Sequence, residues 1–311
     1  MHFQRTLKKA IALEGLGLHT GRNIRMSIHP APPEHGIVFV RSDLSRGVRI
    51  PARLEFVVDT TLATTLGREG AVVSTVEHLM SALFGTGVDN ALIEVEGPEI
   101  PILDGSAAPF VRLIRSTGTV LQPRLRKYLV VQKPFNISDG DRKVSLLPCP
   151  EFMISFGIQF DHPAIGNQFL KVRLSEEDYD REISRARTFG FLRDVEAMKA
   201  QGYALGGSLE NALVLDEKEV LNSGGLRYQD EFVRHKVLDS VGDLSLIGFR
   251  LLGHFVAHKA GHSLNHKLLK HLMDSPVGWK IMSASKMEHG EEGYWLPPSH
   301  AEASERIPAT A

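Results

Sequence analysis

The chain has 311 residues, of which 42% are apolar and 23% are charged, and its formal net charge is −1. Acidic and basic residues balance, so a nucleic-acid partner is not expected, and the single cysteine, Cys149, excludes an internal disulfide and a thiolate-rich metal site. No segment reaches the ~20 consecutive apolar residues of a membrane span, and no secretory signal is visible. We therefore expect a cytoplasmic protein without an integral membrane segment.

The chain divides into two halves in which similar elements follow in the same order. Apolar or alternating runs around proline-containing turns predict strands at 24–30, 36–40, 143–150 and 152–160. A helical pattern that ends in glycine follows in each half, at 74–85 and 231–248. The stretch 116–127, with its glycine, proline and basic residues, is the natural joint. The sequence predicts two α+β domains, 1–125 and 126–284, and a polar tail, 285–311.

The helix predicted at 231–248 carries a polar stripe on an otherwise apolar background. His235, Asp239 and Asp243 recur every fourth residue, so the first two can point at one atom from the same helical face. Imidazole and carboxylate suit Zn²⁺, but a catalytic zinc takes three protein ligands. The alternative is a surface stripe in which these side chains pair with each other or with Arg234 and Lys236.

The first half offers a third ligand in the helix predicted at 74–85. Glu77 and His78 adjoin in its first turn, and a carboxylate beside a metal-bound histidine is well placed to accept a proton from water. Ser74 followed by Glu77 is also the signature of a capping box, in which Glu77 would have no chemical role.

A rival histidine set lies further along the second half. His254, His258 and His262 also recur every fourth residue and could form a different metal site. Gly261 weakens this alternative, because it predicts that the repeat ends and that His262 lies on a turn. His262 is then available for another role.

Seven stretches together resemble the LpxC family, the zinc-dependent UDP-3-O-acyl-N-acetylglucosamine deacetylases of Gram-negative bacteria, which catalyse the committed step of lipid A synthesis. They extend to about residue 284 and are EGLGLHTG (14–21), STVEHLMSAL (74–83), PILDGSA (101–107), SRARTFGF (184–191), GGSLENA (206–212), DEFVRHKVLDSVGDL (230–244) and AGHSLNHKL (260–268). The resemblance implies that each half is a β-α-α-β sandwich, a sheet packed on paired helices, with the active site between the halves.

The resemblance also implies the roles of individual residues. The Zn²⁺ ligands would be His78, His235 and Asp239, and Fe²⁺ is an alternative metal because nitrogen and oxygen ligands accept both. The implied catalytic residues are the general base Glu77, the general acid His262 with its partner Asp243, the transition-state hydroxyl of Thr188, and the substrate-contacting Lys236.

The implied substrate is a small molecule with a nucleotide, a sugar and an acyl chain, bound by a monomer. The unit 191–216, predicted as a helix that ends near Gly202 followed by a turn and a strand, would form the acyl passage, although its apolar face alone is typical of core. The implied binding residues are Leu62, Phe189 and Gly207 near the acyl chain or sugar, Phe160 against the uracil, and His19 near the sugar or diphosphate.

Two departures and two rival functions bear on this interpretation. Ala63 stands where some members of the family have a cysteine near the metal, and His258-Lys259 stands where an aromatic residue is familiar. A His-x-x-x-Asp pattern also occurs in metal-free CoA-dependent acyltransferases, and a zinc-stabilised binding domain would normally saturate its metal with four ligands. Metal removal distinguishes the three classes.

Overall fold

The secondary structure alternates short strands with a few helices in the computed structural model, which describes residues 2–285. The strands of the first half are β1 (Phe3–Leu7), β2 (Ile11–Leu16), β3 (Asn23–Pro30), β4 (Ile37–Arg41), β5 (Val48–Pro51), β6 (Val57–Asp59), β7 (Thr65–Arg68), β8 (Ala71–Val73), β9 (Ala91–Val95) and β10 (Thr119–Leu125). Those of the second half are β11 (Lys127–Val131), β12 (Phe135–Asp139), β13 (Arg142–Leu147), β14 (Phe152–Gln159), β15 (Asn167–Arg173), β16 (Phe189–Phe191), β17 (Leu213–Leu215), β18 (Arg250–His258) and β19 (Trp279–Ser283). The α-helices are α1 (Glu77–Gly85), α2 (Ala108–Thr117), α3 (Glu176–Asp178), α4 (Leu192–Ala200), α5 (Glu231–Ser245) and α6 (His262–Asp274).

One sheet topology occurs twice. The first sheet has the order β2-β3-β9-β4-β5, and the second contains the same path as β12-β13-β18-β14-β15. In the second sheet β11 also pairs with β18, and β19 pairs with β11. In both paths the third and fourth strands are parallel and the other neighbours are antiparallel. The predicted α+β class is confirmed. The division into domains at about residue 125 stays a prediction.

The helices of the two halves meet at a close crossing of α1 and α5. Within each half the helices also contact each other, α1 with α2 and α5 with α6. Gly242 on α5 permits the crossing, because a Cβ there would lie 2.1 Å from the carbonyl oxygen of Glu77. The same contact explains why polar side chains occur on buried helical faces, since they lie where the two helices cross.

The helices begin or end at different residues from the predicted ones, and at the start of α1 the cause is a β-bridge that takes the place of helical hydrogen bonds. Helix α1 begins at Glu77 because Ser74 pairs with Glu99 in a β-bridge and Thr75 has a φ of +57°, outside the helical region. Helix α5 ends at Ser245, and Gly248, with a φ of +80°, completes the turn after it.

The rival histidines do not share one helix. His254 and His258 belong to strand β18, in which alternate residues face opposite sides of the sheet. His262 was predicted on a turn, and it is instead the first residue of α6, directly after Gly261. The four-residue spacing therefore spans a strand, a connection and a helix, and it does not bring the three rings to one face.

The helix of the predicted helix-strand unit at 191–216 lies on the surface, whereas Leu213 and Leu215 of its strand are buried. Its strand β17 pairs in parallel with β16, and α4 between them has no buried residue. Leu192 at the start of α4 is 50% exposed, so the interpretation of its apolar face as core is wrong. The predicted tail, 285–311, lies outside the described residues except for Ser285. Within residues 2–285, no helix is long and apolar enough to cross a membrane.

A buried ion pair joins the start of α5 to the stretch before β16. The Glu231 carboxylate is fully buried and accepts hydrogen bonds from the Arg187 backbone amide at 3.0 Å, from Arg187 Nε at 2.8 Å and from the Arg227 amide at 2.6 Å. This pairing holds α5 in place against the segment that carries Thr188.

Replacing Glu231 with Ala should therefore destabilise the fold strongly. The Arg187 guanidinium, which is 11% exposed, would keep its charge without a carboxylate partner, and breaking such a pair costs about 3–5 kcal/mol. Urea unfolding would measure the change, with Glu217→Ala as the control because its pair with Arg193 is solvent-exposed. Equal stability of both variants would show that the buried pair contributes no more than a surface pair.

Candidate active site

Three buried side chains converge at the crossing of α1 and α5. His78 comes from α1, and His235 and Asp239 come one turn apart from α5, with one potential ligand atom of each within 4.8 Å of the others. Oδ1 of Asp239 is 3.2 Å from Nε2 of His235 and 3.4 Å from Nε2 of His78. The structure therefore brings the predicted ligand of the first half, His78, next to the two of the second half, His235 and Asp239.

The polar atoms of this cluster fit a bound cation. Among residues 2–285, buried side-chain atoms without a hydrogen-bond partner include Oδ1 of Asp239 and Nδ1 of His78. Nδ1 of His235 instead lies 3.1 Å from the carbonyl of Ala186, so its Nδ1–H donates there and its Nε2 lone pair faces Asp239. Two imidazoles and a carboxylate are a ligand set that Zn²⁺ and Fe²⁺ both accept.

The protonation states also suit metal binding. Burial lowers the pKa of His235 to about 3, which keeps its imidazole neutral. Burial opposes ionisation of Asp239, but the neighbouring His235 and Lys236 hold its pKa well below the ordinary range. The surface-stripe alternative is wrong in its location, because His235 and Asp239 are buried, and in its pairing of Arg234, which contacts Asp230 and Glu182. Its pairing of Asp239 with Lys236 is present.

Glu77 is buried beside this cluster, with one carboxylate oxygen hydrogen-bonded to a backbone amide and the other directed towards a histidine. Its Oε2 accepts a hydrogen bond from the Thr64 amide at 3.0 Å, and its Oε1 is 3.9 Å from Nε2 of His262. The capping-box alternative is wrong, because Val76 precedes the helix and no side chain caps it. Burial raises the pKa of Glu77 above that of an ordinary carboxyl group, despite the nearby His262 and His78.

His262 and Asp243 form a hydrogen-bonded pair on the same side. Nδ1 of His262 donates to Oδ2 of Asp243 at 2.8 Å, and Asn265 donates to the same oxygen at 2.9 Å. Burial would lower the pKa of His262, but the charge and hydrogen bond of Asp243, with Glu77 and Asp239, raise it to about 10. His262 is therefore a cation at neutral pH, with its Nε2 directed towards Glu77.

The remaining predicted catalytic residues border the cluster. Lys236 donates to Oδ2 of Asp239 at 2.9 Å, and its Nζ lies 5.6 Å from the ring centroid of Phe189. Thr188 is half-buried and held by backbone hydrogen bonds to Gly105 and Leu213. Gly105 has a φ of +81°, and a Cβ on it would lie 2.1 Å from the carbonyl oxygen of Asn211. The close approach of residues 105 and 211 therefore requires glycine at position 105.

The predicted substrate-binding residues form two groups and one isolated position. The Phe189 ring lies 6.3 Å from the His235 ring and 5.6 Å from the Phe160 ring, so both phenylalanines extend one aromatic cluster from the histidine. His19 contacts the segment that contains Gly207, since its carbonyl accepts a hydrogen bond from Leu205. Leu62 is 41% exposed in the connection that leads to Thr64.

Several residues that hold predicted site residues in place were missed from the sequence. They are Thr64 and Asn265, which donate to Asp243, and Glu99, which accepts from His19 and Thr20. Thr64 stands among other threonines in TTLATTLG, so no spacing or charge distinguished it. Glu99 and Asn265 become recognisable only through partners that are distant in the sequence.

A separate cavity of about 360 Å³ lies between the halves and includes none of the predicted site residues. Arg126 and Arg250 line it, but both share Asp89 and donate to backbone carbonyls at or just after the end of α1. These arginines are explained by the negative end of the helix, where cations are stabilising.

Comparison with known proteins gives matches over most of the chain. The family model described as LpxC: UDP-3-O-acyl N-acetylglycosamine deacetylase matches residues 4–274. The chain is 55% identical over 285 residues to the UDP-3-O-acyl-N-acetylglucosamine deacetylase of Myxococcus xanthus (strain DK1622), which covers 92% of this chain and 91% of that protein. It is 52% identical to the protein of that name from Syntrophus aciditrophicus (strain SB), over 91% of this chain and 90% of that one. It is 54% identical to the protein of the same name from Geobacter sp. (strain M21), over 89% of this chain and 90% of that one.

Proposed function

The chain belongs to the LpxC family of UDP-3-O-acyl N-acetylglycosamine deacetylases, and we propose that it hydrolyses UDP-3-O-acyl-N-acetylglucosamine to the free amine and acetate by metal-assisted catalysis. This is the committed step of lipid A synthesis, and we place it in the cytoplasm. The observation that carries the proposal is the buried group of His78, His235 and Asp239, with Glu77 and His262 beside it. The substrate is a small molecule, and the protein acts as a monomer without nucleic acid.

The three ligands would hold Zn²⁺, with Fe²⁺ as the alternative metal. When bound, such an ion supplies Lewis acidity to the acetamide carbonyl and lowers the pKa of water towards ~7. Asp239 contributes the negative charge, and its second oxygen stays hydrogen-bonded to Lys236. The hydrogen bond from His235 to Ala186 orients the ring and selects the tautomer that can bind a metal.

Glu77 and His262 would carry the two proton transfers. Oε1 of Glu77 accepts a proton from the attacking water, since Oε2 is already occupied by the Thr64 amide. As the C–N bond breaks, Nε2 of His262 gives its proton to the departing amine nitrogen, and Asp243 stabilises the cation before that step. The Thr188 hydroxyl would donate to the oxyanion that forms from the amide carbonyl, and Lys236 would contact the substrate.

Residues around the cluster would bind the three parts of the substrate. Leu62, Phe189 and Gly207 would lie towards the acyl chain or sugar, and the unit 191–216, with α4 on its outer side, would form the acyl passage. The absence of buried residues from α4 supports this role, because a helix that contributes no core leaves its apolar side chains available. Phe160 would stack on the uracil, and His19 would approach the sugar or diphosphate.

Acetate release by the purified protein tests the proposal. The substrate is supplied before chelation, after chelation and after Zn²⁺ or Fe²⁺ is returned, with circular dichroism recorded at each stage. We expect activity to disappear on chelation and to return with metal, while the fold persists. Activity that is indifferent to chelation would indicate a metal-free enzyme, and unfolding on chelation would indicate a structural metal. A folded, metal-loaded protein that releases no acetate would overturn the function.

A further inference from the structure

Thr64 is a buried residue at the end of an exposed connection, and the roles described above do not include it. It is 2% exposed, whereas Leu62, two residues earlier, is 41% exposed. All three of its polar groups make hydrogen bonds, and each bond leads to the start of α1 or to α5. The chain thus passes from the surface at Leu62 to the crossing of α1 and α5 at Thr64.

Two of the three bonds hold the start of α1. The carbonyl of Thr64 accepts a hydrogen bond from the amide of Val76 at 3.3 Å, directly before the helix begins. The amide of Thr64 donates to Oε2 of Glu77 at 3.0 Å. Because this oxygen is held, the carboxylate is prevented from rotating freely, and Oε1 is the oxygen directed towards His262.

The third bond crosses to the second half of the chain. The Thr64 hydroxyl donates to Oδ1 of Asp243 at 2.6 Å, and the other oxygen of Asp243 accepts from His262 and Asn265. The Thr64 oxygen is itself 3.4 Å from Nδ1 of His262. Asp243 is 3% exposed, so a lost donor cannot be replaced freely by bulk water.

We propose that Thr64 is a positioning residue that orients the Glu77 carboxylate and, through Asp243, the His262 imidazole, so that both proton-transferring groups are aligned by one residue. The inference rests on the proposed function, because Glu77 and His262 are the groups that would act on the substrate. A hydroxyl is required at this position because a carboxylate accepts hydrogen bonds and cannot donate one. The hydrogen bond to Glu77 comes from the backbone amide of Thr64 and survives side-chain replacement. Replacing the side chain therefore tests only the hydrogen bond to Asp243.

The test compares Thr64→Val, which keeps the shape and removes the hydroxyl, with Thr64→Ser, which keeps the hydroxyl. Loss of an outer hydrogen bond of this kind typically costs ~10–100-fold in activity, and we expect that loss in kcat for Thr64→Val. KM should change by less than about threefold, because Thr64 acts on the proton-transferring groups and not on substrate affinity. Thr64→Ser should recover kcat to within about threefold of the parent protein.

Thr86→Val is the matched control for loss of a buried threonine hydroxyl. Thr86 is 7% exposed and donates to the carbonyl of Ala82 at 2.7 Å, at the other end of α1. We expect a comparable fall in melting temperature for both valine variants, but a loss of kcat only for Thr64→Val. Metal content, measured by elemental analysis, should be equal in all of them.

A double-mutant cycle with Asp243→Ala identifies the branch. If the hydroxyl acts through Asp243, adding Thr64→Val to Asp243→Ala should lower kcat by less than about twofold more. A full further loss would overturn the proposal, as would a Thr64→Val variant with the kcat of the Thr86→Val control. A parent protein that releases no acetate would refute the proposed function instead, so the two failures are distinguishable.

Discussion

Replacing Glu77 with Gln is expected to lower kcat by about 10²–10⁴-fold, the typical contribution of a general base. Gln has the same shape and can still accept the hydrogen bond from the Thr64 amide at its side-chain oxygen. It cannot take a proton from water, so the loss isolates the proton transfer from the positioning of α1. Because Glu77 is not one of the three ligands, metal content should stay at the parent level.

Steady-state acetate release and elemental analysis measure the two quantities on the same preparation. Glu96→Gln is the control, since Glu96 is an exposed carboxylate that pairs with Arg25 on the surface. We expect its kcat to match that of the parent protein. If Glu77→Gln retained kcat within about threefold while keeping its metal, the base would have to be another group.

The repeated architecture could be predicted from sequence because the pattern and the packing agree. The strands around the two proline-containing turns, now β3 and β4 in one half and β13 and β14 in the other, occupy equivalent places in the two sheets. The helix boundaries were less accurate, since Ser74 pairs with the backbone near Pro98 and Glu99 and α1 begins three residues after the predicted start. Local propensity cannot reveal a hydrogen bond to a segment more than twenty residues away.

The chemistry of the site was easier to predict than its support. His235 and Asp239 are separated by one helical turn, and Glu77 and His78 are adjacent, so both pairs leave a local signal. The contact between Thr64 and Asp243 joins residues 179 positions apart and involves a residue type that is common on surfaces. The hydrogen bonds that Asp243 accepts from Thr64 and Asn265 therefore leave no signal in the sequence.

The crossing of α1 and α5 also explains how the two proton-transferring groups have opposite electrostatic environments within 3.9 Å. Glu77 is on the side where burial raises the pKa of a carboxyl group, which favours acceptance of a proton. His262 is buried as well, but Asp243 supplies a compensating charge that keeps the imidazole protonated. A buried carboxylate and an imidazole paired with Asp243 thus provide a base and an acid in the same small volume.

Replacing His262 with Gln is expected to lower kcat by about 10²–10⁴-fold and to remove the alkaline fall in its pH dependence. His262 must be protonated to act, so activity is present below its raised pKa and is lost as the pH rises through that pKa. Glu77 must be ionised, so activity falls as the pH decreases through its raised pKa. A kcat profile that extends below the pKa of Glu77 and above the pKa of His262 should therefore be bell-shaped for the parent protein.

Asp243→Asn tests the origin of the alkaline limb. Asp243 supplies both the main charge and the hydrogen bond that raise the pKa of His262, so the variant should lose activity at a lower pH than the parent protein. A bound cation would lower the pKa of both Glu77 and His262, and the direction of the Asp243→Asn shift would be the same. His258→Gln is the control, because His258 is an exposed residue of β18 and its loss should leave the profile unchanged. An alkaline limb that moved with His258 and not with Asp243 would remove His262 as its source.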